Sequence, residues 1–488
     1  MQISDIKKPI LLTLREIGRV TGGIWMHLPE EKIEITGVNF YLPYVSPGDL
    51  FVCSEQDAVT KSDIEKRLRE AFSRGAVAAV IGKDIIPNNN YPLLVVANVL
   101  KALQDLATAT SLQFDGVRIL VTGSHGKTGF KTQLYHIIRK QIVTHASLGS
   151  ANKERAVWLT LAAIQQGASV AIVEVAVPAR NIGQDRGFFI RPDFCVITGV
   201  GLEHMSSHKT LKNLIENKAA VVMGLRPGGR CLLNADDAHY DELYAAVRKN
   251  SGCDILTFGS APVCQGRLVN REFHGFGWQV QANILGEEIE YNLPLIEDYA
   301  PLASVSVLLM AKLLGANLQQ CVAEYEDYQH FESSGNLFKV DLGSGNFFVY
   351  SQTRRGELKG FESMFEIMSR LHPQNGGRKI AVVSEFINFE DNPGIEVDIE
   401  KMRDLMTSAG IDLLYTAKEF KQHEAVIPSG VDWCQHGDTY KDIKNNLLGA
   451  VRENDMVFLR GVLKAGFGNL VDALLDKGLG DIPYEKIY

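Results

Sequence analysis

The sequence has no Cys-x-x-Cys pair. Its seven cysteines are scattered and odd in number, a usage that fits a reducing compartment and excludes the paired-cysteine zinc sites. No apolar run is long enough to cross a bilayer, and the stretch from Met1 to Lys8 lacks a signal-peptide core. The expectation is a soluble cytoplasmic protein with no membrane contact. Basic runs interleaved with aromatics are missing, and the formal charge of -8 argues against a general nucleic-acid binder. Internal repeats and low-complexity tracts are absent as well, which excludes a solenoid. What remains is a chain of 488 residues with an ordinary apolar fraction of 45%. Typical domain sizes make that roughly two to four domains.

The chain is organised around Arg118-Ile-Leu-Val-Thr-Gly-Ser-His-Gly-Lys-Thr-Gly-Phe-Lys131. Ile119, Leu120 and Val121 predict a buried strand. Gly123 and Gly126 can adopt backbone angles closed to other residues, so the main chain from Gly123 through Ser124 and His125 can curl its N–H groups around an anion. Lys127 supplies a mobile cation for phosphate oxygens, and Thr128 a hydroxyl for magnesium. A helix over Thr132 to Val143 would aim its positive end at the same anion. Together these parts point to a nucleoside triphosphate. The strict phosphate-loop pattern has a glycine where this chain has Val121, so the match is to a variant, Thr-Gly-Ser-His-Gly-Lys-Thr. The competing reading is an ordinary strand-to-helix turn.

The alternation of strands and helices predicts an α/β protein of three domains. Residues 1–114 form a small α/β recognition unit. Its strands are expected at Ile33 to Val38, Leu50 to Cys53, Ala76 to Ile81 and Leu93 to Val96. Residues 115–332 form the ATP-binding domain, a central phosphate-loop-type, mostly parallel sheet with helices on both faces. Residues 333–488 form a Rossmann-like α/β domain, entered through a hinge at Ser333 to Asn336. Parallel strands are expected there at Lys379 to Ser384, Ile411 to Thr416 and Met456 to Arg460. In an open parallel sheet, ligands gather at the carboxyl ends of the strands. Thr122 to Thr128, Glu174, His204 and Asn234 to Asp237 all fall at such ends.

Two charged residues stand out. Glu174 lies inside the apolar strand Ser169 to Val175, where a carboxylate is costly unless it meets a cation or a proton. Lys218 falls on the apolar stripe of a helix over Thr210 to Leu225, with Leu211, Leu214, Ile215, Val221 and Val222. Periodicity leaves two readings open for Lys218. The ammonium snorkels to solvent, or the lysine works near the phosphate site. Asn234 and Asp237 are candidate nucleoside contacts, and equally a polar strand-to-helix cap.

With these motifs on the page, the chain resembles the Mur ligases, ATP-dependent amide-forming enzymes of cell-wall synthesis. The resemblance rests on Val-Thr-Gly-Ser-His-Gly-Lys-Thr128, Ile-Val-Glu-Val175, Ile-Thr-Gly-Val-Gly-Leu-Glu-His204, Glu-Asn-Lys218 and Leu-Asn-Ala-Asp-Asp237. The middle and last thirds look most like the branch that adds D-Ala-D-Ala. The resemblance implies ATP and magnesium as cofactors, and a small carboxylate and an amine, an amino acid or peptide, as substrates. It implies an acyl phosphate intermediate, and a last domain that takes the amine substrate and closes on ATP. It also implies that Glu174 and His204 are metal ligands, and that Lys218 is carbamylated and holds magnesium.

The chain departs from the family in several places. The Asp-Ser-Arg motif expected near Tyr41-Leu-Pro43 is absent. Cys53-Ser-Glu-Gln-Asp57 replaces a glycine-containing stretch, and the Gly-x-His-Asn run expected near Pro294 to Leu302 is missing. Asn336 stands where the family has an arginine. Arg354 or Arg355 restores that charge, binds an acidic substrate, or is one of a solvated pair. From these departures the expectation is a Mur-type ligase acting on something other than the standard UDP-muramoyl peptide. A non-catalytic nucleotide-binding scaffold is the alternative.

Overall fold

The computed structural model describes residues 8–28, 33–54, 56–57, 60–84, 86–87, 90–178, 181–201, 210–328, 335–353, 358–384, 398–461, 466–479 and 484–486. Two compact units emerge. One gathers Met1–Leu202, Thr210–Gln265 and Val307–Cys321, the other Gly266–Ser306 and Val322–Tyr488. The structure is the mixed α/β arrangement expected, dominated by parallel pairing.

In the first unit, β1 (Ile24–Met26), β2 (Gly37–Asn39), β3 (Asp49–Val52), β4 (Ala78–Gly82) and β5 (Leu93–Val96) form a sheet in the order β1-β5-β4-β3-β2. It is parallel except for β1, which runs antiparallel to β5. The expected strand over Ile33 to Val38 shrinks to Gly37–Asn39. Helices α1 (Leu14–Thr21), α2 (Lys61–Ser73) and α3 (Val99–Gln113) cover this sheet. Thr60 and Asp63 cap α2 reciprocally and Asn98 caps α3, which satisfies N–H groups that a helix start otherwise leaves bare.

A second sheet follows. It contains β6 (Val117–Thr122), β7 (Thr144–Ala146), β8 (Val170–Glu174), β9 (Phe194–Ile197), β10 (Arg230–Asn234) and β11 (Asp254–Gly259), paired in parallel in the order β11-β10-β9-β6-β8-β7. Its strands read as continuous apolar runs because helices bury both faces. Between them run α4 (Lys127–Ile138), α5 (Glu154–Ala162) and α6 (Ile182–Ile190). One core joins the two sheets, with Leu50, Val80, Leu94 and Leu103 packed alongside Leu120, Val173, Ile197 and Leu233.

Two boundaries moved. The helix expected from Thr132 begins at Lys127, because the glycine loop is itself the helix entry. The helix expected over Thr210 to Leu225 is α-helical only over Leu211–Ala219 and tightens into a 3-10 turn at Ala220–Gly224.

In the second unit, β12 (Gly266–His274), β13 (Gly277–Ile284) and β14 (Glu287–Leu293) make an antiparallel meander. A seven-stranded sheet has the order β19-β18-β17-β20-β16-β15-β21. Its members are β15 (Asn336–Asp341), β16 (Asn346–Gln352), β17 (Lys379–Val383), β18 (Leu413–Ala417), β19 (Asp432–Gly437), β20 (Met456–Arg460) and β21 (Tyr484–Lys486). The run from β19 to β16 is parallel, as expected. The expectation of parallel strands alone is corrected at the edge, where β15 is antiparallel to both β16 and β21. A tight turn closes the β15–β16 hairpin, with Leu342 N–H donating to Gly345 O at 2.8 Å. So short a link leaves no room for the crossover that parallel pairing needs. The expected hinge at Ser333 to Asn336 lies partly outside the described residues, and Arg354 and Arg355 lie wholly outside them. Among the described residues, no helix is long and apolar enough to cross a membrane.

Candidate functional site

Strands β6, β8, β9 and β10 end along one edge of the second sheet, and Thr122 to Thr128, Glu174, Asn234 and Asp237 sit there. β6 stops at Thr122 and the chain enters the glycine loop. Gly123 has φ 146°, and a Cβ at that position would lie 2.1 Å from Thr198 Oγ1. Gly126 has φ 80° and caps α4. Only glycine meets both demands without strain. The first N–H groups of α4 then have no acceptor within the helix and face the loop mouth, an anion-binding arrangement.

The stretch leaving β9 braces this loop. Ser124 N–H donates to Gly199 O at 2.9 Å, and its Oγ donates to Gly201 O at 3.0 Å. The Thr198 hydroxyl donates to Thr122 O at 3.2 Å and also reaches His125 O. Lys127 folds back over the loop, its Nζ donating to Gly123 O at 2.7 Å and Ser124 O at 2.8 Å.

Glu174, the last residue of β8, is 1% exposed. The Thr128 hydroxyl lies 3.0 Å from its Oε1 and 3.1 Å from its Oε2. Asn152 Nδ2 donates to Oε1 at 2.9 Å, and Lys131 Nζ to Oε2 at 2.8 Å. Lys131 also donates to Gly149 O. Burial pushes the Lys131 ammonium below its ordinary range, and the Glu174 carboxylate pulls it part of the way back. The cost of burying Glu174 is thus offset by a cation and two neutral donors.

The remaining candidates divide. Lys218 lies on the helix Leu211–Ala219 and is 2% exposed, so its ammonium does not reach solvent and the snorkelling reading is set aside. That helix packs backbone to backbone on α6, where Gly183 N–H donates to Asn217 Oδ1 at 3.1 Å. Asn234 Oδ1 accepts from Asp236 N–H at 3.0 Å. Asp237 accepts from His239 N–H at 2.9 Å and from Val200 N–H at 2.8 Å. These are turn and cap contacts, and the last of them ties the exit of β10 to that of β9. His204 lies outside the described residues. Among the described residues, no group of three or more His, Cys, Asp and Glu side chains is placed to share a metal. The Thr128 hydroxyl and Glu174 carboxylate are hard oxygen donors of the kind magnesium takes when phosphate oxygens complete its shell.

Sequence reasoning passed over Lys131, Asn152 and Thr198. Lys131 had a visible signal, since it stands three residues after Thr128 and four after Lys127, on one face of the helix. Asn152 and Thr198 had none, because only the fold brings their loops to Glu174 and His125.

Residues 121–299 match the Mur ligase middle domain. Over that segment the chain is similar to the Mur ligases. Its relatives include UDP-N-acetylmuramoyl-tripeptide--D-alanyl-D-alanine ligases. The one from Rickettsia prowazekii is 22% identical over 63% of this chain and 68% of its own length. The Bacillus subtilis relative is 28% identical over 49% of this chain and 52% of its own, so the match spans about half of it. These relatives are named as ligases, and ATP and magnesium are the cofactors of Mur ligases. Among solved structures, a MurF from Acinetobacter baumannii has a TM-score of 0.76 at 16% identity, covering 96% of this chain and 100% of that one. MurF from Thermotoga maritima, in complex with ADP, has a TM-score of 0.68 at 19% identity over 90% of this chain and 97% of its own. These structures share the Mur ligase fold with the chain.

Proposed function

We propose that this chain is an ATP-dependent ligase that activates a carboxylate as an acyl phosphate and passes it to an amine. The contact between Thr128 and Glu174 carries the reading. It sets a magnesium-type donor pair, one from the first turn of α4 and one from the end of β8, beside an anion-binding loop. The loop N–H groups and the α4 N-terminus hold the phosphates, and Lys127 exchanges its two carbonyl contacts for phosphate oxygens. Thr128 and Glu174 would hold one magnesium ion. Lys218, its neutral amine carbamylated by carbon dioxide with loss of one proton, would hold a second together with His204. Bound magnesium supplies neutralisation of the charge that builds during phosphoryl transfer. Asn234 and Asp237 are proposed beside the nucleoside, with the cap contacts described above as their structural role. Residues 1–114, 115–332 and 333–488 are proposed as recognition, ATP-binding and amine modules.

For the substrates, the named relatives support a UDP-linked muramoyl peptide as the acid and D-alanyl-D-alanine as the amine. They lend no support to the divergent substrate or the non-catalytic scaffold that the missing motifs suggested. The test is ADP release by the purified chain with ATP, magnesium, the nucleotide-linked tripeptide and the dipeptide, with the product read by mass. Amide of the expected mass, dependent on both substrates, supports the proposal. ADP without amide, or neither, sinks it.

A further inference from the structure

We infer that Lys131 is a positioning residue, which orients Glu174 so that it can hold the magnesium of a bound nucleotide. The inference rests on the nucleotide reading above and goes beyond it, since the mechanism uses Lys127, Thr128 and Glu174 without this second lysine.

Three observations carry it. First, Lys131 is 1% exposed on a helix whose other buried positions are Phe130, Gln133, Leu134, Ile137 and Ile138, four of the five apolar. An apolar residue would be the economical choice there, because a buried lysine needs a specific partner. Second, that partner is the carboxylate the Thr128 hydroxyl also meets, with Nζ 2.8 Å from Glu174 Oε2. Third, the contacts are divided. The Asn152 amide holds Oε1, the Lys131 cation holds Oε2, and Thr128 lies within 3.1 Å of both. The plane of the carboxylate is therefore set by three protein groups, of which Thr128 stands next to the loop lysine Lys127. Helical spacing puts Lys127, Thr128 and Lys131 on one face of α4. The first cation faces the loop and the second faces the carboxylate.

A merely structural ion pair would affect folding and leave the metal's share of binding alone. A positioning residue would lower the affinity of the magnesium complex and spare metal-free nucleotide. Calorimetric titration of the full chain with ADP, in magnesium and in EDTA, separates the two. Lys131→Met is expected to weaken ADP binding in magnesium about tenfold or more, the usual size of an effect on a group that orients a metal ligand. Binding in EDTA should change less than about twofold, and Lys131→Arg should recover part of the loss. If Lys131→Met does not fold by circular dichroism, Lys131→Gln, one atom shorter with a donor but no charge, takes its place with the same expectation. Equal losses in both conditions, or none in either, overturn the role of Lys131. Wild-type protein that binds no ADP in either condition overturns the nucleotide site itself.

Discussion

Arg155, at the start of α5, reaches across 98 positions of chain to Asp57, with Nη2 2.7 Å from Oδ2. Its guanidinium also lies 4.2 Å from the centre of the Phe40 ring. Asp57 belongs to the Cys53 to Asp57 stretch, where the family's usual glycine-containing pattern is missing. The departure therefore has a structural counterpart. A chain segment without the glycine turn is tied to α5 by an ion pair, and the same guanidinium stacks on Phe40.

That relationship gives the first prediction. Both side chains are partly shielded, so the pair should exceed an exposed salt bridge, and the ring adds a cation–π contribution. Arg155→Met is expected to lower stability by about 1–2 kcal/mol, read as an earlier urea midpoint. The double variant with Asp57→Asn should lose less than the sum of the two single variants. Strict additivity would show that the contact contributes nothing.

A second prediction concerns the helix that carries Lys218. A Cβ at Gly183 would lie 1.8 Å from Asn217 O, and one at Gly187 would lie 2.3 Å from Val221 O. The first helical turn of α6 thus leaves no room for a methyl group beside the residue preceding Lys218. Gly183→Ala should cost about 2–3 kcal/mol by overpacking and should reduce ligase turnover more than about tenfold, since Lys218 moves with the displaced backbone. Gly468→Ala is the control. Nothing lies within 4 Å of its added Cβ, so stability should hold or rise slightly. Wild-type turnover in Gly183→Ala would detach Lys218 from the reaction.

The phosphate loop supplies a third. Thr128→Val keeps the shape of the side chain and deletes the hydroxyl beside Glu174. Turnover should fall by about 100-fold or more, and the magnesium concentration for half-maximal rate should rise. Lys127→Ala should instead show its main loss with nucleotide in both the presence and absence of metal, because Lys127 faces the loop carbonyls and not the carboxylate. Steady-state rates across a magnesium series distinguish the two patterns.

How legible all this was depended on burial. β6, β8 and β9 are covered on both faces, so Val117–Thr122, Val170–Glu174 and Phe194–Ile197 stand out as apolar runs with polar residues at their ends. That made the site edge readable, Glu174 included. β13 and β14 are covered on one face, and their alternation, as in Trp278-Gln-Val-Gln-Ala-Asn-Ile284, is plain once sought. Flanked on both sides by βα alternation, it is a local departure from the dominant pattern of the chain. Lys131 was harder. Its position on the helix is local information, but its meaning depends on Glu174, 43 positions away. The bracing of the loop by Thr198 to Gly201 depends on strand order, which places β9 directly beside β6, and no sequence spacing encodes that.

The last prediction is a pH dependence. His145, on β7, is partly buried, and its Nε2 lies 2.8 Å from Thr160 O. Desolvation pushes its pKa down from 6.5 to about 4, although the carbonyl favours the protonated ring. The neutral ring with its proton on Nε2 is therefore the folded form, donating to Thr160 O. In the unfolded chain the ring takes up a proton below about pH 6.5. Between that value and about 4 the unfolded state binds more protons, so stability must fall as the pH falls and level off below the folded-state value. A fully buried ring with this shift would account for roughly 3 kcal/mol, and the residual hydration of His145 reduces that to about 2 kcal/mol. Replacing the ring with a group that cannot titrate, His145→Gln, should lower stability at pH 7, where the native contact is lost, yet flatten the decline between pH 6.5 and 4. Urea unfolding at half-unit pH steps measures both. Parallel stability curves for the two proteins across that window would show that His145 titrates no differently folded than unfolded.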